Sequence, residues 1–443
     1  MPLVRKNGLL VEVSYKEALL YVARRSQSLH LLYGRNSVGI SVSDRLTNEE
    51  IYLAKEFGNK TLETGKIFTF NSRSEGIKDV LGYDASANSI NELLTTNTIL
   101  LVGSNIVEDH TIAGIKVKKA VNKGATLLTV NNVASKANDW AKASIVKEDL
   151  SDSLKEMAKY VVDTCITPSN VNGYEEFKAS LNNVIVSDEV KNIMSVYVES
   201  KKSMIVFDQN RLNDEAAMLL ANIAAISGHI GAPRDGVIQL KPNVNSQGLV
   251  DMGISTDAKR FVEEIANGDI KGLLIFGEDV KTEELKNLEF LMVMDTHLTE
   301  TALMADVVIP AATLLESNGT ITSMDKRIQR VNKAVDTGLE YSNFEVIVEI
   351  MNTFTSNCNI TTEEEILELI NKNVDNYHGA IDLSTNDEYW PLGSSRVLYT
   401  NGYNTEDGNA IIRLVFNPNI SETLNTNVLR KQFAEFVAKE KSC

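Results

Sequence analysis

The chain has 443 residues, of which 43% are hydrophobic and 23% charged, and a formal net charge of -16. That length supports two or three domains with large cores. The acidic balance argues against a nucleic-acid or anionic-membrane partner, because neutralising phosphate needs Lys and Arg in excess.

The N-terminal run PLVRKNGLLVEVSYKEAL predicts two short strands reversed at Asn7-Gly8. A helix follows, capped by Ser14, with Glu17 completing a capping box. The next helix spans Thr47 to Phe57. Thr47 or Asn48 caps it, and Glu49 and Glu50 suit its positive end. Thr96 to Asn132 reads as a βαβ unit: strand Ile99 to Val102, helix Ile112 to Val121, strand Ala125 to Val130. The loop after its first strand would turn backbone N–H groups toward an anion. Asp149 to Val162 predicts a helix and Thr167 to Asn172 a loop. Helices in YEEFKASL and SDEVKNIMSVYVES come next, the latter capped by Ser187. Strand Ser203 to Phe207 precedes a helix from Asp214 to Ser227 that ends at Gly228. Asp269 to Val280 is another strand with a glycine loop.

From Leu291 the pattern gives a strand ending at Asp295, a short helix over Thr299 to Met304, and a buried strand Val307 to Ile309 closed by Pro310. Asn318-Gly319 signals a turn. Ile321, Arg327, Gln329 and Val331 then alternate around a second reversal. Helical runs follow in YSNFEVIVEIMNTF and TTEEEILELINKN, with a terminal amphipathic helix around Leu424 to Lys439.

No apolar run approaches the roughly 20 residues needed to cross a bilayer, so direct membrane insertion is not expected. The opening MPLVRKNG has no signal-peptide core and no twin arginine, and a cytoplasmic location is expected. The three cysteines, Cys165, Cys358 and Cys443, form no short-spaced motif, whereas an iron–sulfur cluster takes about four thiolates. The five histidines are scattered without HxxxH or HExxH spacing, so no protein-ligated metal is expected.

The stretch TETALMADVVIPAATLLESNGTITSMDKRIQRV resembles the signature of the molybdopterin oxidoreductase family, which includes formate dehydrogenases, nitrate reductases and the large peripheral-arm subunit of respiratory complex I. The resemblance is carried by Thr299 to Ala302, Ala305 to Pro310, Glu316, Gly319-Thr320, Thr322, Arg327 and Gln329, with Ser323 in place of the usual Asn. It implies an α/β fold: two interlocked α/β domains of the family's second and third types, with no iron–sulfur domain and no C-terminal barrel cap. Residues 1–66 plus 203–345 would form one domain and 67–202 the dinucleotide-binding-like other. Residues 346–443 would form a C-terminal helical extension, whose last helix would dock on a partner or seal the place of the cap.

The same resemblance exposes departures. Where active members carry a Cys or selenocysteine beside the metal, this chain has Thr69, Phe70 and Asn71, with Ser72 the nearest alternative ligand. The family's GSNxxExHP loop is kept at Gly103, Ser104, Asn105, Glu108 and His110, but Thr111 replaces Pro. Its VDPR becomes Val130-Asn131-Asn132-Val133, losing an Asp that grips a guanosine or ribose group and the Arg beside it. Asp208-Gln209-Asn210-Arg211 stands where formate dehydrogenases have a glycine-rich loop. Asn245 and Gln247 match a cofactor-contacting segment in which Lys241-Pro242 replace Arg-Gly. Gly277 and Glu278 are kept, but Asp279 replaces Asn. At 4 Å from a pyrophosphate that carboxylate would cost on the order of 4 kcal/mol, unless it is simply a solvated loop residue.

These departures lead to a non-catalytic or cofactor-poor subunit of a cytoplasmic redox complex, with no cofactor, metal ligand or catalytic residue of its own, partnered by iron–sulfur-bearing redox subunits. The alternative is a subunit that binds molybdopterin guanine dinucleotide through Gly103, Ser104, Asn105, Glu108, His110, Asn245, Gln247, Gly277, Glu278, Arg327 and Gln329, with clusters on a partner.

Overall fold

The computed structural model describes residues 1–71, 75–166, 168–280, 282–336, 338–355, 360–379, 388–390 and 396–421. Ser72, Thr167, Cys358, Cys443 and the expected helix from Leu424 to Lys439 lie outside them. The strands in chain order are β1 (Leu3–Lys6), β2 (Leu9–Glu12), β3 (Val38–Val42), β4 (Ile67–Phe68), β5 (Thr98–Val102), β6 (Thr126–Asn131), β7 (Ala143–Val146), β8 (Val171–Asn172) and β9 (Ser203–Asp208). They continue with β10 (Gly236–Leu240), β11 (Gly272–Phe276), β12 (Phe290–Asp295), β13 (Val307–Pro310), β14 (Gly319–Thr322), β15 (Arg327–Val331), β16 (Glu388–Tyr389) and β17 (Ala410–Ile411). Among the described residues no helix is long and apolar enough to cross a membrane.

The chain divides into two units, Met1–Ser72 with Asn243–Ser394, and Arg73–Pro242 with Ser395–Cys443. The first is built on a seven-stranded sheet in the order β2-β1-β13-β12-β11-β3-β4, parallel from β13 to β4. Its edge is the β1–β2 hairpin, reversed by Asn7 and Gly8 at φ 51 and 84, as a two-residue turn of that type demands. The antiparallel strands β14, β15 and β16 make a small separate sheet. The second unit holds an all-parallel five-stranded sheet, β10-β9-β5-β6-β7, with β17 paired to β8 beside it. Strand β5, TILLV, is buried throughout, as expected of a parallel strand covered on both faces.

Residues 203–242 were expected with the first unit and belong to the second. The reason is sheet order: β9 pairs with β5, Val102 opposite Phe207, and β10 extends the sheet beyond it. The C-terminal stretch is likewise shared. Residues up to Ser394 go with the first unit, and β17 pairs with β8, where a plain loop was expected at 171–172.

Local expectations met the structure with small differences. Ser14 accepts from the Glu17 N–H at 3.2 Å, but the Glu17 carboxylate pairs with Lys6 at 2.7 Å instead of closing a capping box. Thr47, not Asn48, caps the helix Asn48–Glu56, and Glu50 completes the box. The Asn48 amide reaches Thr320 and Thr322. Asn318-Gly319 opens β14 and is not the hairpin turn, which lies at 323–326. Glycine is required at 319 by close approach: φ is 137, and a Cβ would sit 2.5 Å from Glu49 Oε2.

Asn213 caps the helix Asp214–Ser227 by accepting from the Ala216 N–H at 2.9 Å. The same side chain clips the C-terminal segment, accepting from the Asn419 N–H at 2.9 Å and donating to the Asn417 carbonyl at 2.8 Å. Asn213→Ala is expected to lower stability by about 1–2 kcal/mol in urea unfolding. It should also quicken proteolysis near residues 417–421; equal cleavage rates in the two proteins would refute the clip.

Candidate functional site

Parallel sheets bind ligands beyond the carboxyl ends of their strands, so each unit's edge is taken in turn. In the second unit the register brings the ends of β6, β5, β9 and β10 level: Val130 lies opposite Val102, Val102 opposite Phe207, and Asp208 opposite Leu240. Past β5 the chain turns at Gly103, φ +57, where a Cβ would lie 2.5 Å from Leu212 Cδ1. Ser104 is fully buried, and its carbonyl accepts from Asn131 Nδ2 at 2.9 Å. Asn105 Nδ2 donates to Glu108 at 3.0 Å, and His110 Nε2 lies 3.2 Å from Asp208 Oδ2. The helix Thr111–Asn122 then starts with no side chain capping it. The five retained loop residues are therefore brought together.

Around them are groups the sequence reading counted as losses or passed over. Arg211, beyond β9, donates from Nη2 to Asn132 Oδ1 at 3.1 Å. Gln209 Nε2 and Lys241 Nζ both approach the carboxylate of Asp84, at 3.2 and 3.4 Å. Among the described residues, Ser104 Oγ, Asn131 Oδ1, Asn210 Oδ1 and both amide atoms of Gln239 are buried with no hydrogen-bond partner. A buried polar group left unpaired costs about 1–3 kcal/mol, so native structures rarely keep several in one place. Their common position, at or within two residues of the end of a parallel strand, is a signal that becomes readable once sheet order is known.

In the first unit, β11 is followed by Gly277, φ +79, and Glu278 turns inward. Its carboxyl accepts from the hydroxyls of Ser41 and Thr69 and from the Phe70 N–H at 3.2 Å. Burial, offset in part by these donors and reinforced by nearby Asp44, pushes it up to about 7. Asp44 is itself buried and accepts from Asn243 Nδ2 at 2.7 Å, Ser246 Oγ at 2.6 Å and Asn71 Nδ2 at 3.4 Å. The edge is thus a pair of buried carboxyls wrapped in amides and hydroxyls. The sequence reading missed Asp44, and Thr69 serves as a donor to Glu278.

Asn245 joins this edge, donating to the Leu46 carbonyl at 2.8 Å and accepting from the Thr322 N–H at 2.7 Å. Gln247 donates to Asp251 at 2.8 Å. Arg327 and Gln329 lie two apart on β15, in the small sheet instead of at the edge of the large one. Asp279 is exposed and accepts from Thr301 Oγ1 at 2.8 Å, so it is a solvated loop carboxylate. Among the described residues no three His, Cys, Asp or Glu side chains gather closely enough to hold a metal ion.

Comparison with known proteins fits this architecture. The model of the family described as molybdopterin oxidoreductase matches residues 1–353. The chain is 26% identical over 436 residues to "Putative formate dehydrogenase YrhE" of Bacillus subtilis, covering 82% of this chain and 44% of that protein. It is 25% identical to F420-dependent formate dehydrogenase 1 subunit alpha of Methanococcus maripaludis, covering 88% of this chain and 68% of the relative. It is 24% identical to F420-dependent formate dehydrogenase subunit alpha of Methanocaldococcus jannaschii, covering 92% and 71%. It therefore spans less than half of the first relative and about two thirds of the other two. Among solved structures, acetylene hydratase from Pelobacter acetylenicus superposes with a TM-score of 0.72 over 98% of this chain and 73% of that one, at 14% identity, a likeness of fold.

These matches overturn the expectation that no cofactor is held. The matched family is one of molybdopterin-dependent enzymes, and the changed residues at 69–71 and 131–133 do not take the chain out of it. The changed loops misled because they were judged one residue at a time, whereas the edge of the second unit keeps a buried set of unpaired polar atoms. By its sequence match over most of its length and by its fold, the chain belongs to the molybdopterin oxidoreductase family.

Proposed function

We propose that the chain is a cofactor-binding subunit of a formate-dehydrogenase-like oxidoreductase, holding the nucleotide arm of a molybdopterin guanine dinucleotide at the edge of the second unit's parallel sheet. The observation that carries this reading is the group of buried, unpartnered atoms there: Ser104 Oγ, Asn131 Oδ1, Asn210 Oδ1 and the Gln239 amide. A polar ligand with hydroxyls, amino groups and phosphates would satisfy them, and the uncapped N-terminus of the helix Thr111–Asn122 favours its negative charge. Gly103, Asn105, Glu108 and His110 shape the loop under it.

When bound, such a group supplies two-electron oxidation and reduction at its metal. The chain's own part is binding, orientation and proton holding. In the first unit burial pushes the Glu278 carboxyl up to about 7, where it can take up or release a proton near neutral pH while accepting from Ser41 and Thr69. Electrons would pass to redox centres on partner subunits, for which iron–sulfur clusters are the proposed class. The relatives named as alpha subunits support an external acceptor.

The test is composition. Purified from its native cell with its partners, the chain is expected to yield about one oxidised, fluorescent pterin and one molybdenum or tungsten per copy. Absence of pterin from an intact complex would sink the reading.

A second reading, a loaded but non-catalytic subunit, is favoured by one observation. At the expected metal-ligand position Thr69 spends its hydroxyl on Glu278, and neither Phe70 nor Asn71 offers a thiolate or carboxylate. A pterin-loaded complex that fails to reduce viologen dye with formate would favour it; turnover would exclude it.

A further inference from the structure

We propose that Arg211 is the cation that holds the phosphate part of the nucleotide arm, replacing from the β9 loop the arginine that the β6 loop has lost. The proposal rests on the nucleotide reading above and assigns one residue within it. At the family's VDPR positions this chain has Val130-Asn131-Asn132-Val133, so those four positions carry no cation. Arg211 follows β9, and its Nη2 donates to Asn132, which follows β6. Between β9 and β6 lies β5. Neighbouring strands are about 4.8 Å apart, so a side chain that bonds from the end of one to the end of the other crosses the end of β5. The guanidinium is thereby carried to the same strand ends that hold the unpartnered Ser104 Oγ and Asn131 Oδ1.

Arg211 is 7% exposed. Its described bonds use Nε, toward the Ser421 carbonyl at 3.5 Å, and Nη2. Of the five N–H donors of a guanidinium, the rest suit the oxygens of a phosphate. The nearest carboxylate on its own loop, Asp208, faces His110 Nε2 and the Asn210 N–H at 3.0 Å. Glu108, on the β5 loop, accepts from Asn105.

The full chain, produced in a host without the pterin pathway, would be titrated calorimetrically with GDP and separately with inorganic pyrophosphate. Wild type is expected to bind both. Arg211→Gln should weaken each at least tenfold, and Arg211→Lys should recover part of the loss. Raising KCl from 50 to 300 mM should weaken wild type more than Arg211→Gln, a charge signature that a purely structural arginine would not give. Asn132→Ala, which removes the tether and keeps the cation, should weaken binding less than Arg211→Gln. Equal GDP affinity in wild type and Arg211→Gln, or no GDP binding by wild type, would overturn the proposal. The pterin reading is judged by a different measurement: native chain that contains no pterin, while apo chain binds GDP through Arg211, would reject that reading and leave this one standing.

Discussion

Urea unfolding of the full chain is expected to show greater stability at pH 5.5 than at pH 8. Three buried glutamates in the first unit, Glu49, Glu50 and Glu278, are each pushed up to about 7, chiefly by burial. The unfolded chain releases these protons near the ordinary value of 4.5. Between the two values the folded state binds more protons than the unfolded, so stability falls as pH rises. The contribution is complete below 4.5 and lost as pH passes through 7. A shift of that size corresponds to roughly 3 kcal/mol per group as an upper bound.

A net charge of -16 also repels itself less at low pH, so the assignment needs a variant. Glu49 is the one to change. Its two oxygens accept from the Thr320 N–H at 2.7 Å and the Thr320 hydroxyl at 2.8 Å, tying the helix Asn48–Glu56 to β14. Glu49→Gln keeps the shape and one acceptor while removing the charge that burial penalises. It should gain stability relative to wild type at pH 8 and lose that advantage at pH 5.5. Superimposable pH profiles for the two proteins would show that Glu49 does not titrate in this range.

What the sequence disclosed and what it hid follow from distance along the chain. The Gly103 loop was legible because its glycine, its Asn105–Glu108 pair and the helix after it lie within a dozen residues and fold on one another. Caps at Thr47, Ser187 and Asn213 were local for the same reason, although the sequence named only the first two. Asp44 was hidden because its partners, Asn243 and Ser246, lie some 200 residues away. The unit boundary failed at β9 because insertion beside β5 is decided by packing across about a hundred residues, and periodicity records only that a strand exists. Arg211 was hidden twice over. Its role depends on β5 lying between β9 and β6, and in the sequence it stands in a loop that merely lacks the expected glycines.

Asp84→Ala should be the most damaging single change at the edge of the second unit, costing about 3–5 kcal/mol in urea unfolding. The side chains of Asp84 and Lys241 are 2% and 0% exposed. Removing the carboxylate takes from the buried Lys241 ammonium the charge it faces, and a buried charge that loses its counter-charge is costly. The loss also reaches the ligand edge. Gln209 donates to the same carboxylate and is followed directly by Asn210 and Arg211, so Asp84 fixes the start of the loop that carries the proposed phosphate cation. Asp84→Ala is therefore expected to weaken GDP binding as well as stability. Asp84→Asn, which keeps an acceptor for Gln209, should retain more of the binding than of the stability. Replacing both charges, with Asp84→Leu and Lys241→Met together, should recover much of the stability, since no isolated charge remains, but not the binding, since Gln209 loses its anchor. A cost below 1 kcal/mol for Asp84→Ala, or a double variant that binds GDP as wild type does, would break the link between the buried pair and the edge it supports.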